Sequence, residues 1–310
     1  MKLLSKEEVV GKYRQLLNKY YEEDHSSHIW IDELPPFLCR ALILDQKVAL
    51  ATESVESAFA GHNEARLVDL GGLKVSVGEF SDELISSLPI DGHLALSVPG
   101  LSEWNVNALT LLSSLSNDAY ATTKDWTSLF VWLAPDEDNP PDNVLTSVAI
   151  PSLPHCSFFS VKALRHIPAR HVFDGASLYA LAENIYHESL HQQLNASLIF
   201  DEKTKVFSEE SKLNKVHIPW RDVHWELDRV LHAAWVYSGL QLLRENALES
   251  SLLEDHEKKF LKGAYNESKP RLELLLSELD AAIPNVSDES KGVIEWFYYN
   301  KPNKSMQRTV

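Results

Sequence analysis

The chain has 310 residues, 44% of them hydrophobic, which is enough apolar material for one large core or two modest ones and excludes a disordered or fibrous chain. Lysine and arginine total 29 against 45 acidic residues, a formal charge of -16, so non-specific attraction to nucleic acid or to an anionic membrane surface is excluded on electrostatic grounds. Cys39 and Cys156 are too few for a disulfide framework, and the opening MKLLSKEEVVGKYRQLL lacks the apolar run of a signal peptide, so the sequence reads as cytoplasmic with no membrane span.

In chain order, residues 5–22 and 37–60 carry amphipathic helical patterns separated by His28-Ile29-Trp30-Ile31 and the breaker Pro35-Pro36. From about 66 to 161 the character changes. Leu94 to Val98, Leu129 to Leu133, Val144 to Ile150 and Phe158 to Val161 are short apolar runs bounded by prolines, the pattern of strands, with a helix predicted from about Glu103 to Ala121. Pro140-Pro141, inside the acidic Asp136-Glu137-Asp138-Asn139 loop, marks an exposed turn.

After Val161 the pattern is almost entirely helical: a helix over Ser177 to Asn195, then about 223–247, 251–266, 270–283 and 288–298, with Gly263, Pro270 and Pro284 as breaks. The expected fold class is therefore α+β, with a small mixed or antiparallel sheet in the N-terminal half and a mainly helical C-terminal half. The shift near residue 165 divides an α+β region, 1–165, from a helical region, 166–310, although no linker is long enough to force a cut.

The stretch SLYALAENIYHESLHQQLN, Ser177 to Asn195, carries the chemistry. No Gly or Pro interrupts it, Asp174 and Ser177 can cap its start, and Leu178, Leu181, Ile185 and Leu194 recur at helical spacing. His187 and His191 are four apart, so their imidazoles lie over one another on one helical face and can grip one metal ion, the mechanical content of an HExxH pattern. Glu188 is rotated away but within reach of a metal-bound ligand, as the general base of a hydrolase must be. Glu183 and Asn195 lie one turn before and after on the same stripe, placed to orient the histidines.

Two histidines need a third donor. Leu194 and Ser197 stand where a metzincin requires Gly and His, which removes that arrangement. A thermolysin-like set would recruit a later glutamate, with Glu209, Glu210 and Glu226 on offer. A richer source is His217-Ile218-Pro219-Trp220-Arg221-Asp222-Val223-His224-Trp225-Glu226-Leu227-Asp228-Arg229-Val230-Leu231-His232. If the helix begins near Val223, His224, Asp228 and His232 share one stripe, and any of the three could close the set.

His187-Glu188-x-x-His191-x-x-Leu194-Asn195-Ala196, followed by Pro219-Trp220-Arg221-Asp222 and then Leu231-His232, resembles the HExxH-type 2-oxoglutarate-dependent peptide beta-hydroxylases, which tailor ribosomally made peptides. The resemblance covers roughly residues 160–245. It implies Fe(II) held by His187, His191 and His232, with 2-oxoglutarate and O2 as cosubstrates, succinate and CO2 as by-products, and hydroxylation of an unactivated side-chain carbon of a peptide that can bear a leader. It also implies Arg221 as the fork holding the distal carboxylate of 2-oxoglutarate, with Arg229 the alternative anchor. The more common non-haem iron set is two His and one carboxylate, which keeps Asp228 open as the third ligand. In an oxygenase Glu188 would fix a ligand or substrate in place. The competing reading is a Zn(II) metallopeptidase with Glu188 as base, and a third is a binding protein with a structural metal or none.

Overall fold

A computed structural model describes residues 3–9, 11–12, 66–70, 73–77, 90, 92–96, 100–127, 129–150, 155–168, 171–198 and 202–302. The expected helix over 37–60 and Cys39 lie outside these residues; of the helix expected over 5–22, residues 6–9 and 11–12 are described and helical. The chain divides into two compact units, one within Ser5–Ile167 and Val172–Gln192, the other within Met1–Leu4, Pro168–His171 and Gln193–Val310.

The first unit is built on β4 (Leu129–Pro135). Phe130, Val131, Trp132 and Leu133 are all at most 3% exposed, the mark of a strand covered on both faces. The sheet runs β1 (Arg66–Leu70), β2 (Leu73–Val77), β4, β6 (Cys156–Ser160), β5 (Ser147–Ala149), and β3 (His93–Ala95) also pairs with β4. β4 lies parallel to β2 and β6, whereas β3 and β5 are antiparallel to their neighbours, so the sheet is mixed. β5 is an edge strand, with Val148 opposite Phe158.

The single helix expected over 103–121 is two, α1 (Leu101–Leu115) and α2 (Asn117–Trp126). Ser116 interrupts them with extended backbone, and its hydroxyl accepts from the Ala119 N–H at 3.2 Å. The Ser-Asn-Asp sequence there favours a new N-cap over a continuous helix. After β6 come a 3-10 turn (Val161–Leu164) and two short strands, β7 (His166–Ile167) and β8 (His171–Val172).

Helix α3 (Leu178–Leu198) begins where the sequence places its cap: the Ser177 hydroxyl accepts from the Ala180 N–H at 3.3 Å. Tyr179 to Tyr186 are buried without exception. The partly exposed positions of α3 are Leu178, His187, His191, Gln193 and Asn195, so both histidines fall on the open stripe of an otherwise enclosed helix.

The second unit holds α4 (Glu202–Ser211), a hairpin of β9 (Lys215–Ile218) and β10 (Val223–Glu226), and three further helices, α5 (Leu227–Glu249), α6 (Asp255–Ala282) and α7 (Asp288–Asn300). The Trp235 ring stacks on Trp296, centroids 5.6 Å apart and planes 1° from parallel, joining α5 to α7. Arg244 is fully buried and bonded to protein acceptors: Nη1 donates to the Ala264 carbonyl and the Ser268 hydroxyl, Nη2 to the Pro168 carbonyl.

Two expectations are corrected in this unit. The break at Gly263 and Pro270 does not occur; both lie inside one continuous helix, Pro270 on an exposed position, because Leu261, Ala264, Ser268, Leu272, Leu275 and Leu279 form one buried stripe across them. Nor does a helix begin at Val223. Val223-His224-Trp225-Glu226 pairs with Lys215-Val216-His217-Ile218, and the helix waits until Leu227. The strand is favoured by Val and Trp at alternating positions, and Pro219 to Asp222 form the turn, in which the N–H groups of Arg221 and Asp222 both donate to the Ile218 carbonyl. The fold as a whole is α+β with a mainly helical C-terminal half. Among the described residues no helix is long and apolar enough to cross a membrane.

Candidate metal centre

On α3 the Nε2 atoms of His187 and His191 stand 3.1 Å apart, with ring centroids 4.9 Å apart and planes tilted by 47°. Two nitrogens that share one cation at about 2.0–2.1 Å each lie roughly 2.8–3.0 Å apart in adjacent positions of an octahedral sphere and roughly 3.3–3.4 Å apart in a tetrahedral one, and the observed spacing falls between the two. The donor set and its spacing therefore fit a divalent transition ion, and Glu188 completes a group whose ligand atoms all fall within 4.8 Å of one another.

Glu188 is 2% exposed, its Oε1 lies 3.9 Å from His187 Nε2, and it is held by the edge of the sheet. The Ser147 hydroxyl donates to it at 2.6 Å and the Ala149 N–H donates as well. Burial outweighs these two donors and pushes its carboxyl up to about 7. Neither Ser147 nor Ala149 stood out in the sequence, because an edge-strand contact with a helix thirty-nine or more residues away leaves no local pattern.

A second set of polar residues fixes α3 itself. Asn184 donates to the carbonyls of Ala163, His166 and Ala180, Gln192 donates to the Cys156 carbonyl at 2.8 Å, and Ser189 and Thr127 share a buried hydroxyl contact of 2.8 Å. Asn184, Glu188 and Gln192 fall at i, i+4 and i+8, a buried polar stripe bound to backbone of the same unit. That spacing was readable in the sequence once the helix was drawn. Glu183, fully buried, accepts from the Tyr179 hydroxyl at 2.8 Å.

The other candidates lie in the second unit. His232 and Asp228 are one turn apart on α5, and burial of His232 lowers its imidazole to about 4, partly countered by Asp228, so the ring is neutral and ligand-competent at physiological pH. His224 is not on that stripe. It lies on β10, opposite His217 of β9, and both are exposed. Arg221 is exposed in the hairpin turn, whereas the Arg229 guanidinium covers the Trp225 ring at 4.7 Å. Trp220 and Trp225 meet edge to face, and Arg271 lies over Trp220 at 5.3 Å. Of the glutamates considered as a third ligand, Glu209 pairs with Lys212 at 2.8 Å, Glu210 accepts from the Ser287 N–H at 3.1 Å, and Glu226 occupies the N-cap position of α5 without a side-chain capping bond.

No model of a known protein family matches this sequence, and no curated protein matches it.

Proposed function

We propose that this chain is an Fe(II)- and 2-oxoglutarate-dependent oxygenase that hydroxylates an unactivated side-chain carbon of a ribosomally made peptide. The observation that carries the metal site is the 3.1 Å spacing of the His187 and His191 Nε2 atoms on the open stripe of a buried helix. The motif order His187-Glu188-x-x-His191, Pro219-Trp220-Arg221-Asp222, Leu231-His232 supports oxygenation over hydrolysis, since that resemblance assigns His232 as the third imidazole and Arg221 as the carboxylate anchor. Iron(II) in this site would supply O2 activation coupled to oxidative decarboxylation of 2-oxoglutarate. His187 and His191 would hold the ion, and Asn184, Ser189 and Gln192 fix the helix that presents them. Ser147 and the Ala149 N–H hold the Glu188 carboxyl against β5, with Oε1 3.9 Å from His187 Nε2.

One observation favours a zinc peptidase as the second reading: a Glu188 carboxyl at about 7 is matched to proton transfer at neutral pH. The two separate cleanly. Anaerobic addition of 2-oxoglutarate to Fe(II)-loaded protein should produce a metal-to-ligand charge-transfer band, absent in His191→Ala, and aerobic turnover should release succinate. No band and no succinate with any candidate peptide, together with peptide cleavage by the zinc form that Glu188→Gln abolishes, would replace the oxygenase by the peptidase.

A further inference from the structure

The outer side of β5 is a sheet edge that runs past the α3 metal group. β6 covers one side of β5, and among the described residues no strand pairs with the other. Thr146, Ser147, Val148 and Ala149 are each partly exposed.

The pairing register decides which backbone groups face outward. The Ser160 N–H donates to the Thr146 carbonyl at 3.0 Å, so these two residues form a hydrogen-bonded pair of the antiparallel ladder. Such pairs recur at every second residue, which makes Val148 opposite Phe158 the next one and leaves Ser147 and Ala149 in the alternate positions. The N–H and C=O groups of Ser147 and Ala149 therefore point away from β6. One of the four is engaged by α3, since the Ala149 N–H donates to Glu188. The other three line the edge beside it.

Side chains alternate along a strand, so Ser147 and Ala149 share one face and Val148 takes the opposite one. The Ser147 hydroxyl reaches Glu188 at 2.6 Å, and Glu188 Oε1 lies 3.9 Å from His187 Nε2, so the shared face is the one toward α3. Residues directly opposite each other in neighbouring strands point to the same face, with Cβ atoms about 4.5–5.5 Å apart. A segment paired with Ser147 along the outer edge thus turns one side chain toward the metal group and the side chains on either side of it away.

We propose that the outer edge of β5 binds an extended peptide as an added antiparallel strand, and that the peptide residue opposite Ser147 presents its side chain to His187 and His191. This rests on the reading of the substrate as a peptide. Folded proteins blunt exposed strand edges with charge or proline, and Thr146-Ser147-Val148-Ala149 carries neither, as an edge kept for a partner strand would. Main-chain bonds to Ser147 and to the Ala149 carbonyl supply affinity with little demand on sequence. The formal charge of -16 makes the occupant a neutral or basic peptide rather than an acidic one.

The probe is a heptapeptide selected from a random library on the full chain with no metal added, then synthesised with a fluorophore and as a series of single N-methyl variants. Binding is read by fluorescence anisotropy. The expected result is a two-residue period: N-methylation where the peptide N–H faces β5 weakens binding about tenfold, and at the residues between by about twofold or less. On the protein, Ser147→Pro removes an outward N–H that β6 does not use and should weaken binding about tenfold; Ser147→Ala, which loses the same hydroxyl but keeps the N–H, should bind within about twofold of wild type. Circular dichroism checks that both fold, and the N-methyl series reads the wild-type chain whatever the variants do. Benzoylphenylalanine placed at a methylation-sensitive residue should photocrosslink to α3, and at the next residue should not. The proposal is overturned if no heptapeptide binds more tightly than about 1 mM, if the N-methyl series lacks the period, if Ser147→Pro folds and binds as wild type does, or if crosslinking to α3 ignores the alternation. No metal takes part, so the two readings fail separately. The period in a protein that gives no charge-transfer band with Fe(II) and 2-oxoglutarate upholds strand addition and removes the oxygenase; a band without the period does the reverse.

Discussion

Replacing Glu188 by Gln in metal-free protein probes the buried carboxyl directly. Its pKa is 4.5 in the unfolded chain and about 7 in the folded one, because burial disfavours its charge more than Ser147 and Ala149 support it. Between those two values the folded state retains a proton that the unfolded state has released. The stability associated with this proton is therefore complete below pH 4.5 and is lost as pH rises through 7, a total of about 3 kcal/mol. The amide of Gln keeps the shape, still accepts from the Ser147 hydroxyl and never charges. Glu188→Gln should match wild type within about 1 kcal/mol at pH 5 and exceed it by about 3 kcal/mol at pH 8, an increase of roughly 4 °C in Tm for a chain of this size. The assay is thermal and urea unfolding in EDTA from pH 5 to 8. Parallel pH profiles for the two proteins would show that Glu188 is charged in the folded state and refute the reasoning.

Three other substitutions test the packing within each unit. Asn184→Ala removes the donor shared by the Ala163, His166 and Ala180 carbonyls and should cost about 2–3 kcal/mol in urea unfolding with the m-value unchanged; a loss below about 1 kcal/mol would mean that water replaces the amide. Gly92→Ala should destabilise by at least about 2 kcal/mol, since φ is +75 and the added Cβ would sit 2.6 Å from the Pro141 nitrogen; an unchanged Tm would show that the 139–141 loop can lift away. Pro270→Ala should raise Tm, by an amount corresponding to about 1–2 kcal/mol, because it restores a helical N–H at an exposed position of α6 and outweighs the entropy regained by the unfolded chain.

What the sequence disclosed followed from how local each signal was. Helix α3 was readable because cap, periodicity and freedom from Gly and Pro agree over one short stretch, and the α+β class followed from the apolar runs that became β4, β5 and β6. The β9–β10 hairpin was not, because Glu226 passes from strand to helix with no Gly, Pro or Asn to mark the change, and the polar turn preceding it reads equally well as a helix start. Pro270 misled for the opposite reason: a strong local breaker is overruled when side chains on both sides of it are buried along one stripe. Helix α4 went unpredicted; Glu202 to Ser211 contains Val206 and Phe207 as its only apolar residues, too few to show a period. At the site, the two histidines were legible and their support was not, since Ser147, Thr127 and the carbonyl of Cys156 become neighbours of α3 only when the sheet is folded.

The polar stripe Asn184, Glu188, Gln192 gives α3 a fixed register, because sliding or rotating the helix would strip several enclosed groups of their partners at once. The two imidazoles stand on partly exposed positions beside that stripe. The direction in which positions 187 and 191 face is in this sense preset: the enclosed stripe fixes the rotation of the rod before any ligand arrives, so a bound ion need not spend its affinity on ordering the helix.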